Sequence, residues 1–322
     1  MREVTTIKAL NDALRQEMRR DEKVFIIGED IWRGCFGVTG GLIDEFGDRV
    51  VSTPISEKAI VGSAVGAAIA GMIPVAELMF SDFLTCAYDE IINQAAKIRY
   101  MFGGQFNTGL VLRLPCGVSQ QAAAQHSQSL EAVLTHIPGL KVVYPSNPVD
   151  AAGLLVSSIR DGNPIMFLEH KRLYNAKAEM QEGEILPIEL GIGKIVKEGK
   201  ALTILATGQY VRICKDIAEE YSSKGIDIEV IDPRCLVPFD KELLFDSVKK
   251  TGKLLVVTEE TKRGAWSGEV IANVVEEHMD YLKKSPIRLG ALDTPCPFSP
   301  ALEEIWIPRK EDICLAIDTL CK

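Results

Sequence analysis

Carboxylates, imidazoles and aromatic rings at the ends of elements are the residues to test first for chemistry. The segment Ser52-Thr53-Pro54-Ile55-Ser56-Glu57 leads into an uncharged run rich in Ala and Gly. Glu57 therefore stands at the opening turn of a helix, where a carboxylate gains from the helix dipole. Spacing alone leaves two readings open: a solvated first-turn glutamate, or an acid aimed at a ligand. His126, in Gln125-His126-Ser127-Gln128, follows a strand pattern and precedes a helical one. Sites in parallel sheets form at such strand ends, and a loop histidine is equally an ordinary surface residue. His170 follows a strand within Glu169-His170-Lys171 and is a weaker candidate to line a site. His136 precedes Ile137-Pro138-Gly139 and reads as a turn, and His278 reads as solvated on a charged helix face. Phe83 lies on an apolar helical face and by itself reads as core.

Positioning those side chains falls to segments of strand character that alternate with segments of helical period. The first half reads as a helix over 7–20, a strand over 24–28, a short strand over 50–52 and a small-residue helix from about Ser56. A strand over 74–80 precedes a helix over 82–101, with Phe83, Ala87, Ile91, Ala95 and Ile98 on one face. Then come a strand at 109–114, a loop at 116–125, a helix at 129–135 and a strand at 141–144. Asn147-Pro148 opens the next helix, Asn as cap and Pro in the first turn, and Gly162 stops it before a strand at 165–169. A Glu- and Gly-rich stretch over 177–200 connects to the second half, which puts the domains at 1–185 and 186–322. The second half has strands at 202–207, 228–232, 254–259 and 287–289, and helices at 211–224, 241–251, 267–282 and 311–320. Such alternation is the pattern of an α/β protein with two parallel-sheet domains, each sheet covered by helices on both faces.

Bulk properties narrow the function classes. The 322 residues are 47% apolar and 25% charged, enough for about two full cores. A net charge of −9 argues against nucleic acid, which calls for clustered Lys and Arg. Cys35, Cys86, Cys116, Cys214, Cys235, Cys296, Cys314 and Cys321 include no CxxC pair, so zinc and dithiol redox motifs are not indicated and reduced thiols are expected. The opening MREVTTIKAL lacks the regions of a secretory signal. The uncharged run at 59–76 carries Gly62, Gly66 and Gly71, is broken by Pro74 and reads as a buried helix followed by a strand, not as a membrane span. Walker A, HExxH and GxSxG motifs are absent, and Gly191-Ile192-Gly193 precedes a strand without the third glycine of a dinucleotide fingerprint.

Read together, the segments resemble the β subunits of the thiamine-diphosphate-dependent first component of acetoin and 2-oxoacid (pyruvate, branched-chain) dehydrogenase complexes. The resemblance is carried by Gly28-Glu29-Asp30, Gly37-Val38-Thr39, Thr53-Pro54-Ile55-Ser56-Glu57, 77–82 with Phe83, and Asn93-Gln94-Ala95-Ala96-Lys97. It continues through His126-Ser127-Gln128-Ser129, 136–143, Val230-Ile231-Asp232-Pro233-Arg234 and Ser247-Val248-Lys249-Lys250-Thr251, in order over nearly the whole chain. Glu77-Leu78-Met79-Phe80, Arg99-Tyr100-Met101-Phe102-Gly103-Gly104, Ala122-Ala123-Ala124-Gln125-His126 and Glu169-His170-Lys171 look most like acetoin dehydrogenase. Pyruvate and branched-chain members usually have a glycine-rich loop before the histidine. Here 119–125 holds glutamines and alanines instead.

The resemblance implies a transketolase-type pyrimidine-binding domain followed by a transketolase C-terminal-like domain for assembly. It also implies a cofactor shared with an α subunit, which holds the diphosphate through Mg2+ with a GDG…N motif. This chain has only Asp161-Gly162-Asn163. Glu57 would bond the ring nitrogen N1′, Phe83 would pack on the pyrimidine, Ile55 and Cys86 would lie by the cofactor, and His126 would serve the substrate as donor or proton relay. Ser158, Ile159, Asp161 and Asn163 match a potassium loop of some relatives. The implied reaction cleaves acetoin to acetaldehyde and a hydroxyethyl-cofactor intermediate passed to the lipoyl arm of an acyltransferase component. The alternative is oxidative decarboxylation of pyruvate or a branched-chain 2-oxoacid. The implied assembly is a cytoplasmic α2β2 heterotetramer without nucleic acid or membrane. A non-catalytic scaffold that kept the fold and a single-chain transketolase-like enzyme are the competing classes. The second calls for a diphosphate motif that the chain lacks.

Overall fold

The computed structural model describes residues 1–119 and 121–322. Gln120, in the expected loop 116–125, lies outside the described residues. The chain forms two compact units: Met1–Cys116 with Val133–Leu190, and Gly117–Ala132 with Gly191–Lys322.

The first unit contains β1 (Arg2–Thr5), β2 (Val24–Glu29), β3 (Val50–Thr53), β4 (Ile73–Glu77), β5 (Val111–Cys116), β6 (Lys141–Val143), β7 (Ile165–His170) and β8 (Lys177–Met180). Six of these lie side by side in the order β6-β7-β5-β4-β2-β3, all parallel. β5 and β7 are buried at every residue, as strands covered on both faces must be. Thr5 caps the Thr6–Arg20 helix by accepting from the Lys8 N–H at 3.2 Å. That helix packs on the Pro148–Arg160 helix, which Asn147 caps through the Asp150 N–H at 2.9 Å. Between the two helices, buried Glu17 accepts from Arg160 Nη2 at 2.6 Å, Arg160 Nε at 2.9 Å and Arg20 Nε at 2.7 Å.

The second unit has β9 (Lys194–Lys197), β10 (Leu202–Ala206), β11 (Ile228–Asp232), a short β12 (Cys235–Val237), β13 (Leu254–Thr261) and β14 (Ile287–Ala291). Five strands form a sheet in the order β14-β13-β10-β11-β9. The Tyr210–Ser222 and Lys310–Cys321 helices close an apolar core over it, with Tyr210, Ile217, Ile313 and Ile317 fully covered.

Four expectations change. The stretch 177–200 is no bare connector. It supplies β8, antiparallel to β1, and β9, antiparallel to β11, so an otherwise parallel sheet gains an antiparallel edge. The helix expected over 82–101 is broken into a 3-10 segment Ser81–Ala87, a π segment Glu90–Ala95 and an α turn Ile98–Met101. The break shows in the Ala96 N–H, which reaches back five residues to the Ile91 carbonyl at 3.1 Å. The strand expected to 80 stops at Glu77. The helix expected to 282 stops at His278, and that histidine is half-buried edge-on against Phe245 at 4.4 Å, so it fills a gap beside an aromatic ring and is not solvated.

The uncharged run at 59–76 yields a helix of 13 residues, Glu57–Ile69, about 20 Å long at ~1.5 Å per residue. Among the described residues, no helix is long and apolar enough to cross a membrane.

Candidate functional site

The first unit has a topological switch point. From β2 the chain goes to β3 on one side and then crosses to β4 on the other, so a crevice opens beyond the carboxyl ends of β2 and β4. Register brings Glu29 level with Thr53, Gly28 with Glu77, and Glu77 with Arg113. Gly28 is required there: a Cβ would stand 2.8 Å from the Glu77 carbonyl oxygen.

Glu57 follows β3 and opens its helix as expected, with Ser56 as cap accepting from the Ala59 N–H at 3.4 Å. It is half-exposed, and among the described residues its carboxylate has no hydrogen-bond or ion-pair partner. The helix packs on the Ser81–Ala87 segment, which follows β4 and carries Phe83 and Cys86. Phe83 is half-exposed, not core, and its ring stands edge-on to Phe80 at 5.7 Å. Phe80 in turn meets Phe36 at 5.5 Å and the Lys171 ammonium at 4.9 Å. Ile55 is 75% exposed on the turn between β3 and the helix, and Cys86 is exposed.

The crevice is acidic. Burial, helped by Asp30 and Glu57, raises the Glu29 carboxyl above its usual range. Below it lies a buried network that spacing did not reveal. Arg113, fully covered, donates to Glu169 through Nε and Nη2 at 2.7 Å each and to Glu77 through Nη1. Tyr174 Oη donates to Glu169 at 2.7 Å. Charged residues at the ends of otherwise apolar strands were the available signal. Their pairing depends on which strands are neighbours.

His126 belongs to the second unit, on the strap Gly117–Ala132, and is half-exposed. The strap is bound there because the Val118 N–H donates to Glu259 at 2.6 Å and Val118 packs with Ala291, Cys296, Trp306 and Ile307. His170 is buried at the end of β7, its Nδ1 accepting from the Arg172 N–H at 3.2 Å. It does not line the crevice mouth as a free imidazole.

The potassium candidates are internally engaged. Ser158 Oγ donates to the Leu154 carbonyl at 2.7 Å. Asp161 pairs with the Lys141 ammonium at 2.5 Å and accepts from Asn163 Nδ2 at 2.7 Å, while Asn163 Oδ1 accepts from Arg99 at 2.7 Å. Burial raises the Asp161 carboxyl, but hydrogen bonds from Lys141 and Asn163 outweigh it and hold the group below its usual range. Among the described residues no group of three His, Cys, Asp or Glu side chains is placed to hold a metal ion.

An unpaired carboxylate on a helix packed against the segment that carries a half-exposed aromatic ring fits the protonatable pyrimidine half of thiamine diphosphate. An acidic crevice does not fit its diphosphate, which repels Glu29, Asp30 and Glu57.

Comparison with known proteins shows the family. Residues 2–177 match the family "Transketolase, pyrimidine binding domain" and residues 191–313 match "Transketolase, C-terminal domain". The acetoin:2,6-dichlorophenolindophenol oxidoreductase subunit beta of Cupriavidus necator is 44% identical over 96% of this chain and 94% of its own length. The Bacillus subtilis protein of the same description is 42% identical over 97% and 95%. The pyruvate dehydrogenase E1 component subunit beta of Rickettsia felis is 41% identical over 99% and 98%. A solved split-gene transketolase, described as an inactive beta4 tetramer, superposes with a TM-score of 0.80 at 22% identity, covering 99% of this chain and 98% of that one.

Proposed function

This chain belongs to the transketolase-type family of dehydrogenase β subunits, and from that premise we propose that it forms the pyrimidine-binding half of a thiamine-diphosphate-dependent acetoin dehydrogenase, working with an α subunit in the cytoplasm. The observation that carries the reading is the unpaired Glu57 carboxylate at the switch-point crevice, beside the turn that holds Phe83. When bound, the cofactor supplies a nucleophilic carbon and an electron sink. Glu57 would hold the pyrimidine by a hydrogen bond to ring nitrogen N1′ and could pass a proton there, aided by the helix N-terminus it opens. Phe83 offers a flat apolar face to the ring, and Phe80 holds it edge-on. Ile55 and Cys86 line the same mouth, where their exposure is relieved by the cofactor and the α subunit. His126 serves the substrate as hydrogen-bond donor or proton relay. The α subunit supplies Mg2+ and the diphosphate grip, in keeping with the acidity of this crevice. Two copies of each subunit make an α2β2 tetramer that passes its two-carbon product to a lipoyl-bearing acyltransferase. A potassium ion at 158–163 would have to take Asp161 from Lys141 and enters only as a structural ion.

Acetoin is favoured over pyruvate because the loop before His126 is Ala122-Ala123-Ala124-Gln125, where glycines are usual in the pyruvate enzymes. The test is dye reduction by the chain co-purified with its α partner, on acetoin, pyruvate and 3-methyl-2-oxobutanoate. Acetoin is expected to be the substrate, with Glu57→Gln reducing turnover by about 10²–10⁴-fold while the variant still assembles. Turnover of pyruvate but not acetoin would overturn the substrate. Full activity of Glu57→Gln would overturn the site.

A further inference from the structure

The second unit holds a concentration of buried oxygens without partners. The strap Gly117–Ala132 carries Ser127, Ser129 and Glu131, while β13 and the Trp266–His278 helix carry Thr258, Glu260 and Ser267. Each has a buried side-chain oxygen without a hydrogen-bond partner, and for Glu131 this is true of both carboxyl oxygens. Glu131 is 2% exposed and Glu260 4%. Native interiors rarely leave such groups unmatched. Two carboxyls this deep, each within the other's field, resist double ionisation, and one proton between them supplies a donor for the unpartnered oxygens.

The neighbouring groups leave few other ways to balance the charge. Glu259 receives the Val118 N–H at 2.6 Å and the Gln209 side-chain amide. Glu260 Oε1 receives the Ser267 N–H at 3.2 Å, and the N–H groups of Trp266 and Ala132 also face its carboxyl. Ala132 directly follows Glu131, so this contact brings the strap's last turn onto Glu260. Arg288 lowers Glu260 from a distance, and its Nη1 donates to the Lys262 carbonyl at 2.8 Å. Arg263 and Asp293, on the adjoining cavity of about 320 Å³, pair with each other at 2.8 Å.

We propose that Glu131 and Glu260 share one proton and that this acid pair is the latch that positions the His126-bearing strap on the second unit. The effect on turnover rests on the role given above to His126. Burial, then the Glu260 charge, raises the Glu131 carboxyl well above its ordinary range, and burial lifts Glu260 to about 7. Both shifts are upward, so the folded strap binds protons more tightly than a detached one. The latch is therefore closed at neutral pH, where Glu260 begins to ionise and Glu131 keeps its proton, and it opens as pH rises through the raised Glu131 value. Opening leaves buried carboxylates facing one another beside Glu259.

Hydrogen–deuterium exchange of the full chain, corrected for intrinsic rates, tests the latch directly. Uptake in peptides covering 117–132 should rise by about tenfold from one pH unit below the transition to one above it. Glu131→Gln, which keeps the shape and cannot ionise, should make that uptake flat. Glu260→Gln, which removes the charge that raises Glu131 beyond the effect of burial, should move the rise to lower pH if the first variant folds poorly. The wild-type infrared spectrum should show the carbonyl band of an un-ionised carboxylic acid at neutral pH, lost in Glu131→Gln. Strap exchange that ignores pH in the wild type, or a spectrum without that band, would overturn the proposal. Exchange and infrared results as expected, without an alkaline limb in acetoin turnover that Glu131→Gln removes, would leave the latch standing and refute the part given to His126.

Discussion

Removing the guanidinium beneath the crevice gives the sharpest test of how the strand ends are held. Arg113 is 0% exposed, and its partners Glu77 and Glu169 are 4% and 2% exposed. Replacing it with Met keeps most of the volume and leaves two carboxylates facing each other at the ends of β4 and β7. Breaking a buried pair in this way costs roughly 3–5 kcal/mol, because the remaining charge is desolvated and uncompensated. At about 1.4 kcal/mol per factor of ten, amide protection in β5 and β7 should fall by roughly two to three and a half powers of ten. Exchange of those amides reports on the first unit by itself. The loss should also depend on pH. Burial already raises Glu77, against the pull of Arg113. Without Arg113 the Glu77 carboxyl takes up a proton in the folded state still more readily than in the unfolded one. The variant therefore comes closest to the wild type in acid and falls away as pH rises through the raised folded value of Glu77. A loss below about 1 kcal/mol that does not change with pH would refute the network as the clamp on these strands. Arg113→Lys keeps the charge but not the two-pronged grip on Glu169, and should lie between the two.

Other positions test the framework. Burial raises the Glu17 carboxyl, but hydrogen bonds from Arg160 and Arg20 outweigh it and hold the group below its usual range. That stability is present above about pH 4.3 and is lost as pH falls through the lowered folded value, so Glu17→Gln should cost about 1–3 kcal/mol in thermal unfolding near neutrality and flatten the acid side of the profile. Gly199→Ala should destabilise the second unit by roughly 1–3 kcal/mol, because its Cβ would stand 2.2 Å from the Ile228 carbonyl carbon. Gly66→Ala is the control: nothing stands within 4 Å of its Cβ, and the helix should gain about 0.5–1 kcal/mol.

What was legible in the chain was local. Asn147-Pro148 opens a helix in any context, and the sparse small residues after Ser56 allow a close-packed helix with Glu57 at its start. The buried runs at β5, β7, β10 and β13 announced strands covered on both faces. The failures share one cause. β1, β8 and β9 are short and partly exposed, and their hydrogen bonds go to strands distant in sequence, so no periodicity within them marks them out. The run 82–101 carries a sound helical stripe, but its first part winds as a 3-10 segment, Ser81–Ala87, with Phe83 half-exposed, and Glu90–Ala95 takes an extra residue per turn where it packs on the Glu57–Ile69 helix.

The sequence by itself determined which side chains stand at element ends, Glu57, Phe83 and His126 among them, because capping and side-chain period act over a few residues. Only the tertiary structure decided what those ends meet. Sheet order placed β2 between β3 and β4 and so made the crevice, and it brought Arg113 between Glu77 and Glu169 across 36 and 56 residues of chain. The same long-range packing gave the strap that holds His126 to the second unit and buried Glu131 and Glu260 within that unit. Register and burial are set by contacts between distant segments, and these carry no signature in the spacing of either segment alone.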